Sequence, residues 1–563
     1  MKILSLHTDY IKFKPLKKAI KSLVGLDEKE MVETEVKDDP LVIFTAVEKG
    51  DSGAEEMVNE VKKIADQLNV NNIVLYPYAH LSSNLASPDN AVKVLDEAEK
   101  LLKKDFKVAK APFGYYKTFE MKTKGHPMSE LSRELKISGD ESAEEYDPKQ
   151  LIKEISKTVL DKSKLKDNDH RIIAQEMDLF SFSETAPGMV FWHNNGLIIR
   201  KELIKFWREV HSKAEYEEIK TPQILSNVLW KISGHWEKFK ENMFLTEYDN
   251  KELGVKPMNC PGGMIVYKNS PKSYKQFPLK VAELGEVHRQ ELSGVLGGIF
   301  RVIQFTQDDA HIFCTDKQVE EELEKVIDLV DFVYKVFGLS FRVEVSTRPE
   351  KRIGSDKIWD KTEALLKKVV KKKKLKYKIN EGDGAFYGPK IDFHVTDSLG
   401  REWQTATLQL DMSMPERFEL EYTDKDNKKK RPVMLHRTLY GSLERFMGIL
   451  IEHYKGWMPT WLAPVQVRVI NFTDKNRKYA EEIIKKIGEA VPGIRLDADF
   501  SSTTVQSKVK DASIMRIPYV IVVGDREEEA ESVAVRVKGN KKIENFSVGE
   551  FIVKLKKEIE GRE

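Results

Sequence analysis

His436-Arg-Thr-Leu-Tyr-Gly-Ser-Leu-Glu-Arg445 is one of five short segments that concentrate rare residue types in the middle of this sequence. The other four are Met258-Asn-Cys-Pro-Gly-Gly263, His288-Arg-Gln-Glu291, Phe305-Thr-Gln-Asp-Asp-Ala-His311 and Ala385-Phe-Tyr-Gly-Pro-Lys390. All five lie between His170 and about Pro459, where long strand-like runs alternate with amphipathic, helix-like stretches. We therefore predict one large domain in this region, with its functional residues in these segments.

Two smaller α/β regions flank the large domain. The N-terminal region contains one helix-period stretch, Ala54–Leu68, and strand-like runs at Lys2–His7, Leu41–Val47 and Asn72–Tyr78. From Pro464 onward strands and helices alternate, which favours a small domain with a largely parallel sheet. The predicted boundaries are residues 1–136 for the N-terminal domain, 137–168 for a linker and helical connector, 169–460 for the large domain and 461–563 for the C-terminal domain.

Length and composition agree with several folded domains. A chain of 563 residues exceeds the roughly 250–300 at which a single core stops growing. Apolar residues make up 40% of the sequence, including 26 Phe, 18 Tyr and 8 Trp, which excludes a disordered chain. The net charge of +2 gives no global attraction to nucleic acids or membranes, so any polyanion must meet local patches.

Several classes of protein are disfavoured by what the sequence lacks. The opening MKILSLHTDYIKFK has too short an apolar run for a signal peptide, and no stretch of about 18 apolar residues occurs. Two cysteines, Cys260 and Cys314, cannot form a disulfide framework, so we expect a cytoplasmic protein without a membrane partner. No G-x-x-x-x-G-K-[ST] loop and no strand-linked G-x-G-x-x-G is present, which argues against nucleotide binding in those two modes.

Single residues leave the function open. Cys260, His311 and His436 lack the close-pair spacing of a zinc finger, so spacing alone would make them a core cysteine and two hydrogen-bonded histidines. Any one arginine in a chain that is 33% charged is most simply a surface ion-pair partner. The four-lysine run 371–374 is most simply a solvated helix face.

Taken together, however, the segments carry a family resemblance. Residues 169–563 resemble the threonyl-tRNA synthetases, a class II family, through the five segments above and through Asp169-His-Arg, Gly188-Met-Val-Phe-Trp-His193, Leu229-Trp-Lys-Ile-Ser-Gly-His235 and Trp461-Leu-Ala-Pro-Val-Gln466. The resemblance implies an antiparallel-sheet catalytic fold whose three motifs lie at about 200–225, 280–308 and 434–450. It also implies an enzyme that activates L-threonine with ATP and transfers it to threonine tRNA.

The resemblance assigns the catalytic residues one by one. Arg289, Arg301 and Arg445 match phosphate-binding arginines, and Gln307, Asp309, Tyr387 and Gln409 match residues that line the amino-acid and ATP pocket. Cys260, His311 and His436 match ligands of one zinc ion per chain, which leave an open position for threonine, whereas Cys314 matches no ligand and is expected in the core. ATP with Mg²⁺ is the implied co-substrate. One departure is Ile303, where bacterial relatives usually carry a second arginine.

The terminal domains have their own resemblances. Glu527 and Arg536 match the base-reading pair of the family's anticodon-binding module, which is α/β. Residues 1–136 resemble the archaeal editing domain, an α/β domain similar to D-aminoacyl-tRNA deacylases, with His80, Lys117 and Glu130 at functional positions. This implies hydrolysis of mischarged seryl-tRNA.

Three alternatives stay open at this point. The N-terminal domain could serve only in tRNA binding, the chain could be a class II ligase for serine or proline, or it could be a non-catalytic tRNA-binding paralogue. The intact Arg289 and Arg445 argue against the paralogue. Class II enzymes of this kind pair through the first motif, so the resemblance implies a homodimer.

Overall fold

The computed structural model describes residues 1–20, 25–27, 31–82, 84–135, 152, 165–397, 400–411, 413–539 and 542–563. The chain divides into two compact units, residues 1–148 and 149–563. Most of the connector predicted for 137–168 lies outside the described residues, and the four predicted domain boundaries stay a prediction. In the described part of the chain, no helix is both long enough and apolar enough to cross a membrane.

The N-terminal unit is built around one sheet. Its strands are β1 (Lys2–Lys18), β2 (Thr34–Val36), β3 (Leu41–Ala46), β4 (Asn72–Pro77), β5 (Lys107–Lys110), β6 (Tyr115–Thr123) and β7 (Glu130–Glu134), and its helices are α1 (Glu55–Leu68) and α2 (Pro88–Leu102). The strand order is β2-β1-β3-β4-β5, and β6 and β7 also pair with the long strand β1. The parallel strands β3, β4 and β5 follow the predicted alternation of strands and helices.

Apolar spacing explains why the helix and strands of this unit form where they do. Helix α1 buries Met57, Val58, Val61, Ile64 and Ala65, which recur at three- and four-residue intervals and so share one helix face. Strand β3 is buried along its whole length, as expected for a parallel strand covered on both sides. Strand β4 ends at the short 3₁₀ helix Ala79–Leu81, which carries His80.

The large region of the second unit contains fifteen of the described strands and nine of the described helices. The strands are β8 (Phe180–Ser181), β9 (Phe191–Trp192), β10 (Glu217–Glu218), β11 (Ile224–Ser226), β12 (Leu245–Tyr248), β13 (Lys251–Val255), β14 (Leu279–His288), β15 (Gln304–Cys314), β16 (Phe341–Ser346), β17 (Tyr377–Asn380), β18 (Lys390–Thr396), β19 (Glu402–Asp411), β20 (Tyr422–Thr423), β21 (Lys429–Lys430) and β22 (Val433–Thr438). The helices are α3 (His170–Glu176), α4 (Asn194–Lys213), α5 (Asn227–Ser233), α6 (His235–Phe239), α7 (Cys260–Lys268), α8 (Val319–Val336), α9 (Asp356–Lys372), α10 (Met414–Arg417) and α11 (Leu443–His453).

An eight-stranded sheet in the order β10-β14-β15-β22-β19-β18-β16-β17 organises this region. The six central strands are antiparallel and only the two edge strands, β10 and β17, pair in parallel, which confirms the predicted antiparallel sheet. One face of the sheet packs against α4, α8 and α11 in the main hydrophobic core. Ala310, Ile312 and Cys314 of β15 enter that core, so Cys314 is a core strand residue as predicted.

Because side chains alternate along a strand, the residues between these core positions point to the opposite face of the sheet. On β15 those residues include Gln307, Asp309 and His311, and on β22 they include His436. The polar site therefore lies on the face opposite the core.

The C-terminal part of the second unit is a five-stranded sheet with four described helices. It contains β23 (Val467–Asn471), β24 (Leu496–Asp499), β25 (Tyr519–Val523), β26 (Ser532–Val537), β27 (Ile543–Ser547), α12 (Arg477–Ala490), α13 (Val505–Ile514), α14 (Asp525–Glu529) and α15 (Val548–Gly561). The order is β24-β23-β25-β26-β27. The prediction of a largely parallel sheet holds for the three strands on which it was based, β23, β24 and β25. The sequence pattern indicates no direction for β26 and β27, which pair antiparallel and are joined by a short connection.

The lysine run agrees with its simplest interpretation. Lys372 and Lys373 at the end of α9 form ion pairs with Glu324 and Asp328 of α8. The run therefore belongs to a solvated helix face.

Candidate active site

A cavity of about 300 Å³ opens on the polar face of the eight-stranded sheet. It is lined by predicted site residues from several elements: Cys260, Arg289, Arg301, Gln307, Asp309, Tyr387, Gln409, His436 and Arg445. The tenth predicted residue of this site, His311, lies beside Cys260 and His436. Residues that span nearly 200 positions of the sequence therefore lie around one cavity.

Strand register brings the three predicted metal ligands together. His311 of β15 lies directly opposite His436 of β22, and their ring centroids are 5.0 Å apart. Cys260 is the first residue of α7 and approaches the pair from outside the sheet. One ligand atom from each residue lies within 4.8 Å of the other two.

This donor set fits a zinc ion. One sulfur and two imidazole nitrogens are ligands that Zn²⁺ prefers, and three protein ligands are typical of a site that keeps an open position. The Nε2 atom of His436 lies 2.8 Å from Oδ2 of Asp411, which leaves the other ring nitrogen for a metal. A carboxylate partner of this kind orients metal-binding histidines. Burial lowers the pKa of His311 and so keeps its imidazole neutral, as metal binding requires.

Two arginines in the cavity form no ion pair with any acidic side chain that the structure describes. Among the described residues no carboxylate oxygen lies within 4.0 Å of Arg289 or Arg445; Arg289 Nε donates to the Pro257 carbonyl at 3.2 Å, and Arg445 Nε donates to the Phe300 carbonyl at 2.9 Å. Burial lowers the pKa of both guanidinium groups, and the nearby positive charges lower that of Arg445 further. Buried cations that repel each other attract an anionic ligand.

Arg301 differs from these two arginines. Its side chain is half exposed, and its Nη2 atom pairs with Oε2 of Glu291 at 2.8 Å. It lines the same cavity but already has a counter-ion. Ile303, the departure from the bacterial pattern, is held by backbone, because its N–H donates to the Gly188 carbonyl at 2.7 Å.

The adjacent acids Asp308 and Asp309 have different surroundings. Asp308 is fully buried and accepts hydrogen bonds from the backbone N–H groups of Leu439, Tyr440 and Gly441 at 2.8, 3.1 and 2.8 Å. Asp309 lines the cavity, where its Oδ2 accepts a hydrogen bond from Asn259 Nδ2 at 2.8 Å. Burial raises the pKa of both, that of Asp308 to about 7. Asp308 thus anchors a turn, and Asp309 is available to a ligand.

The Gly-rich turn before β18 closes one side of the cavity. Tyr387 donates a hydrogen bond to Gln409 Oε1 at 3.0 Å, and its ring centroid lies 5.4 Å from that of His436. A β-carbon on Gly388 would come within 1.7 Å of the Leu410 carbonyl oxygen, so only glycine allows this approach. The turn therefore fixes Tyr387 beside the predicted metal ligand His436.

Two residues that contact the predicted site residues were not predicted from the sequence. Asn259 holds Asp309, and Asp411 orients His436. Asp411 lies two residues after Gln409 on β19, so strand alternation could have placed both on the polar face. Asn259 directly precedes Cys260, but no signal in the sequence indicated that it contacts Asp309.

The N-terminal unit has its own cavity, of about 410 Å³, at the end of β4. His80 and Lys117 both line it, together with aromatic side chains that include Tyr76 and Tyr116. Lys117 Nζ donates to the carbonyl of Pro112 at 2.8 Å and lies 5.1 Å from the Tyr76 ring centroid. Burial lowers the pKa of Lys117 to about 8. Among the described residues, no carboxylate pairs with it.

Glu130, the third predicted residue of this site, is not brought to the cavity. It is exposed on β7, opposite Leu6 of β1, and it does not line the cavity. His80 and Lys117 thus share one cavity, while the role of Glu130 stays a prediction.

The predicted base-reading pair lies on two separate elements. Glu527 is in α14, where its carboxylate accepts a hydrogen bond from the Gly524 N–H at 2.9 Å. Arg536 lies on β26, and its buried Nε atom has no hydrogen-bond partner among the described residues. No ion pair joins Glu527 to Arg536 in the part of the chain described.

Three family descriptions match successive parts of the chain. They are "Archaea-specific editing domain of threonyl-tRNA synthetase" over residues 1–135, "tRNA synthetase class II core domain (G, H, P, S and T)" over residues 244–454 and "Anticodon binding domain" over residues 466–558. The matches follow the three regions that carry the three candidate sites.

Curated relatives point to one family. The chain is 53% identical over 395 residues to a threonine–tRNA ligase of Natranaerobius thermophilus and 52% identical over 394 residues to one of Carboxydothermus hydrogenoformans. Each alignment covers 70% of this chain and 62% of the relative, so the chain spans about three fifths of the length of these relatives.

Solved structures give the same result. The RNA binding domain of threonyl-tRNA synthetase from Cryptosporidium parvum is 37% identical, with a TM-score of 0.65, and the match covers 69% of this chain and 98% of that one. A putative threonyl-tRNA synthetase from Aeropyrum pernix is 29% identical, with a TM-score of 0.62, and the match covers 70% and 96%. The chain belongs to the threonyl-tRNA synthetase family.

Proposed function

We propose that the chain is a threonine–tRNA ligase, which forms threonyl-adenylate from L-threonine and ATP and transfers the threonyl group to threonine tRNA. The observation that carries this proposal is the pair Arg289 and Arg445, two cations without acidic partners among the described residues, in the cavity that Cys260 and His436 also line. The arginines suit a polyphosphate. The ligands beside them suit a small amino acid with a hydroxyl group.

In the activation step a carboxylate oxygen of threonine attacks the α-phosphorus of ATP. The bond from that phosphorus to the bridging oxygen breaks, and pyrophosphate leaves with the electron pair. Negative charge spreads over the phosphate oxygens in the transition state, where Arg289 and Arg445 stabilise it. We expect ATP to bind with Mg²⁺.

Cys260, His311 and His436 would hold a zinc ion, which as a Lewis acid would bind the amino group and hydroxyl of threonine. Asp309 would accept the hydrogen bond of the substrate hydroxyl, and Asn259 fixes the position of Asp309. A site built for a hydroxyl rejects an analogue that lacks it by roughly 10⁴–10⁵. The catalytic site should therefore exclude valine without help from a second site.

ATP–pyrophosphate exchange with each protein amino acid tests the catalytic proposal and its rivals together. Exchange with threonine and at most weak exchange with serine is the expected result. Exchange with proline or only with serine would identify a different class II ligase, and no exchange with any amino acid would favour the non-catalytic paralogue. Prolyl-tRNA synthetase structures are similar at 15% identity, which supports the fold alone.

Zinc content gives independent support. The ligase proposal expects about one zinc per chain in purified protein and none in Cys260→Ala. Cys314→Ala is the matched control because Cys314 is buried in the core, away from the cluster. Equal zinc content in both variants would contradict the ligand assignment.

Serine explains why an editing site is needed. It keeps the amino group and hydroxyl of threonine and lacks only a methyl group, a difference worth about 1–3 kcal/mol in binding. We propose that the cavity of the N-terminal unit hydrolyses mischarged seryl-tRNA, with His80 and Lys117 shaping the pocket and Glu130 as a further predicted residue. Water attacks the ester carbonyl, serine leaves the tRNA, and the ribose oxygen takes the proton.

Preformed seryl-tRNA and threonyl-tRNA test the editing proposal in the full chain. Seryl-tRNA should be hydrolysed faster, and Lys117→Ala should slow that hydrolysis without slowing threonine activation. Lys104→Ala, at an exposed position of the same unit, is the control. Equal lifetimes of the two esters would leave tRNA binding as the role of this unit.

Recognition of threonine tRNA is proposed to involve Glu527 and Arg536. Arg536→Ala should weaken tRNA charging and leave ATP–pyrophosphate exchange unchanged, because the two reactions use different parts of the unit. Equal losses in both reactions would point to misfolding.

We further propose a homodimer in the cytoplasm. Strand β10 is a short edge strand of the main sheet, and an edge strand can pair with a second copy. Ile224 and Val228, which follow β10 in the sequence, are 52% and 56% exposed, so they offer apolar surface to a partner. Both cysteines are free, which suits a reducing compartment. Analytical ultracentrifugation should give twice the mass of one chain; a monomer at micromolar concentration would contradict the dimer.

A further inference from the structure

A buried histidine outside the cavity connects α3 to the loop that precedes β15. His170, the first residue of α3, is 1% exposed. Its Nδ1 atom lies 2.8 Å from Oε1 of Glu452 on α11, and its Nε2 atom lies 3.2 Å from the backbone nitrogen of Ile299. Because a backbone N–H can only donate, Nε2 accepts, and Nδ1 carries the proton that it donates to Glu452. Burial lowers the pKa of His170, which keeps this imidazole neutral.

The composition of the cluster around His170 would also suit a metal ion. Asp169, His170 and Glu452 each place one ligand atom within 4.8 Å of the others. Their charges are already balanced, however, because Arg171 donates to the two oxygens of Asp169 at 2.9 and 2.8 Å, and Arg401 pairs with Glu452. We therefore assign the cluster to hydrogen bonding.

The loop approaches His170 so closely that only glycine fits at its turn. Gly298 has a φ of 53°, and a β-carbon on it would come within 2.0 Å of His170 Nε2. The Phe300 ring packs edge-on against the His170 imidazole, with centroids 4.6 Å apart, and its centroid lies 4.5 Å from that of Trp403, on which it stacks. The backbone of residues 298–300 is therefore held by contacts with both rings.

Phe300 connects this loop to the cavity. Its side chain lines the cavity, and its carbonyl oxygen accepts the hydrogen bond from Arg445 Nε at 2.9 Å. Arg445 lies in the first turn of α11, and Glu452 lies in the last. One end of the helix is thus attached directly to Phe300. The other end is attached through His170 to the neighbouring residue, Ile299.

The orientation of Arg445 depends on the Phe300 carbonyl. No ion pair with a described carboxylate holds the guanidinium of Arg445, and its contact with the Gln404 carbonyl is longer, at 3.5 Å. We propose that His170 is a positioning residue for ATP. Its imidazole holds the Ile299 N–H and thereby fixes the Phe300 carbonyl, which orients Arg445 toward the triphosphate. This role rests on the proposed activation of threonine with ATP, and it extends that function to a histidine that does not line the cavity.

Two conservative variants separate this role from a purely structural one. His170→Gln can place an amide oxygen near the position of Nε2 and so keep an acceptor for Ile299, whereas the shorter His170→Asn keeps only a donor for Glu452. In ATP–pyrophosphate exchange with the full chain, His170→Asn should raise the KM for ATP and lower kcat/KM for ATP by about 10- to 100-fold, because a misplacement of about 1 Å can cost about 100-fold. The KM for threonine should not change. His170→Gln should stay close to wild type, and equal losses in the two variants would overturn the proposal.

A double-mutant cycle shows whether His170 acts through Arg445. If it does, His170→Asn should add almost no loss to that of Arg445→Ala, since the group to be oriented is already gone. Losses that multiply in the double variant would mean that His170 acts elsewhere, and the proposal would be wrong.

Gly298→Ala tests the same contact from the loop if His170→Asn does not fold. Its β-carbon would displace the imidazole, so it should reproduce the loss that is specific to ATP, and a wild-type kcat/KM for ATP in this variant would also contradict the proposal. His453→Asn changes the half-buried histidine that follows Glu452, and as the matched control it should leave both KM values unchanged. A wild-type chain without any exchange would refute the proposed function itself, on which this role rests.

Discussion

The neighbouring acids Asp308 and Asp309 provide a sharp test of the site. They are adjacent on β15, but substitution of each should affect a different property of the protein. We consider the isosteric pair Asp308→Asn and Asp309→Asn. The first should lower stability and the second should lower threonine activation. The same chemical change is thus made on two faces of one strand.

The magnitude for Asp308→Asn follows from its three backbone hydrogen bonds. Its two oxygens accept from Leu439, Tyr440 and Gly441 inside the protein, and an amide in their place presents an NH₂ group to at least one of these donors. A buried donor left unpaired costs about 1–3 kcal/mol. For a domain of this size that corresponds to a lower unfolding midpoint by about 2–4 °C for each kcal/mol.

Asp309→Asn should behave in the opposite way. Asp309 is only partly buried and has one described hydrogen bond, from Asn259, so the unfolding midpoint should change little. A hydrogen bond from the substrate hydroxyl to a charged carboxylate is worth about 1.5–3 kcal/mol, which predicts a loss of about 10- to 150-fold in kcat/KM for threonine.

Differential scanning fluorimetry and ATP–pyrophosphate exchange on both variants check this prediction. Wild-type protein measured in parallel is the reference. The reasoning is refuted if Asp309→Asn lowers the midpoint as much as Asp308→Asn, or if it keeps the wild-type kcat/KM for threonine.

Three further predictions address the other charged groups. Arg445→Ala should fold but lower the exchange rate by about 10²–10³, because it removes one group that stabilises transition-state charge, whereas exposed Arg477→Ala should not. Cys260→Ser should lose bound zinc, as metal analysis will report, and with it threonine activation. The pKa of Lys117 falls from 10.5 to about 8 in the folded unit, so between those pH values the unfolded chain holds the proton that the folded chain has lost. Stability of the N-terminal unit should therefore rise with pH across this window relative to Lys117→Met, and parallel urea-midpoint curves for the two proteins would contradict the assigned burial.

Much of the fold could be predicted from the sequence because the pattern of buried residues is local. The apolar spacing of α1 predicts a helix, and the continuous apolar runs of β3 and β4 predict buried strands. The direction of β26 and β27 could not be predicted in this way. Pairing direction depends on which strands become neighbours, and the alternation of strands and helices that favoured a parallel sheet ends before these two strands.

The site was predictable to the extent that rare residues mark it. Cys260, His436, Arg289 and Arg445 were found through their motifs, and the structure brings them to one cavity. The sequence did not predict that Asp308 and Asp309 make different contacts. The hydrogen bonds that Asp308 accepts from the backbone of residues 439–441 are apparent only in the structure. For Glu130, a motif match predicted a role in the editing site. The structure places Glu130 on β7, and it does not line the cavity that contains His80 and Lys117.

Strand β15 contributes side chains both to the hydrophobic core and to the candidate site. Its alternate side chains are divided between the core, through Ala310, Ile312 and Cys314, and the site, through Asp309 and His311. A shift of register by one residue would exchange the two faces, sending His311, a predicted metal ligand, into the core and an apolar side chain into the cavity. The core residues of β15 therefore do more than bury apolar surface. By fixing the register opposite β22, they place His311 directly opposite His436.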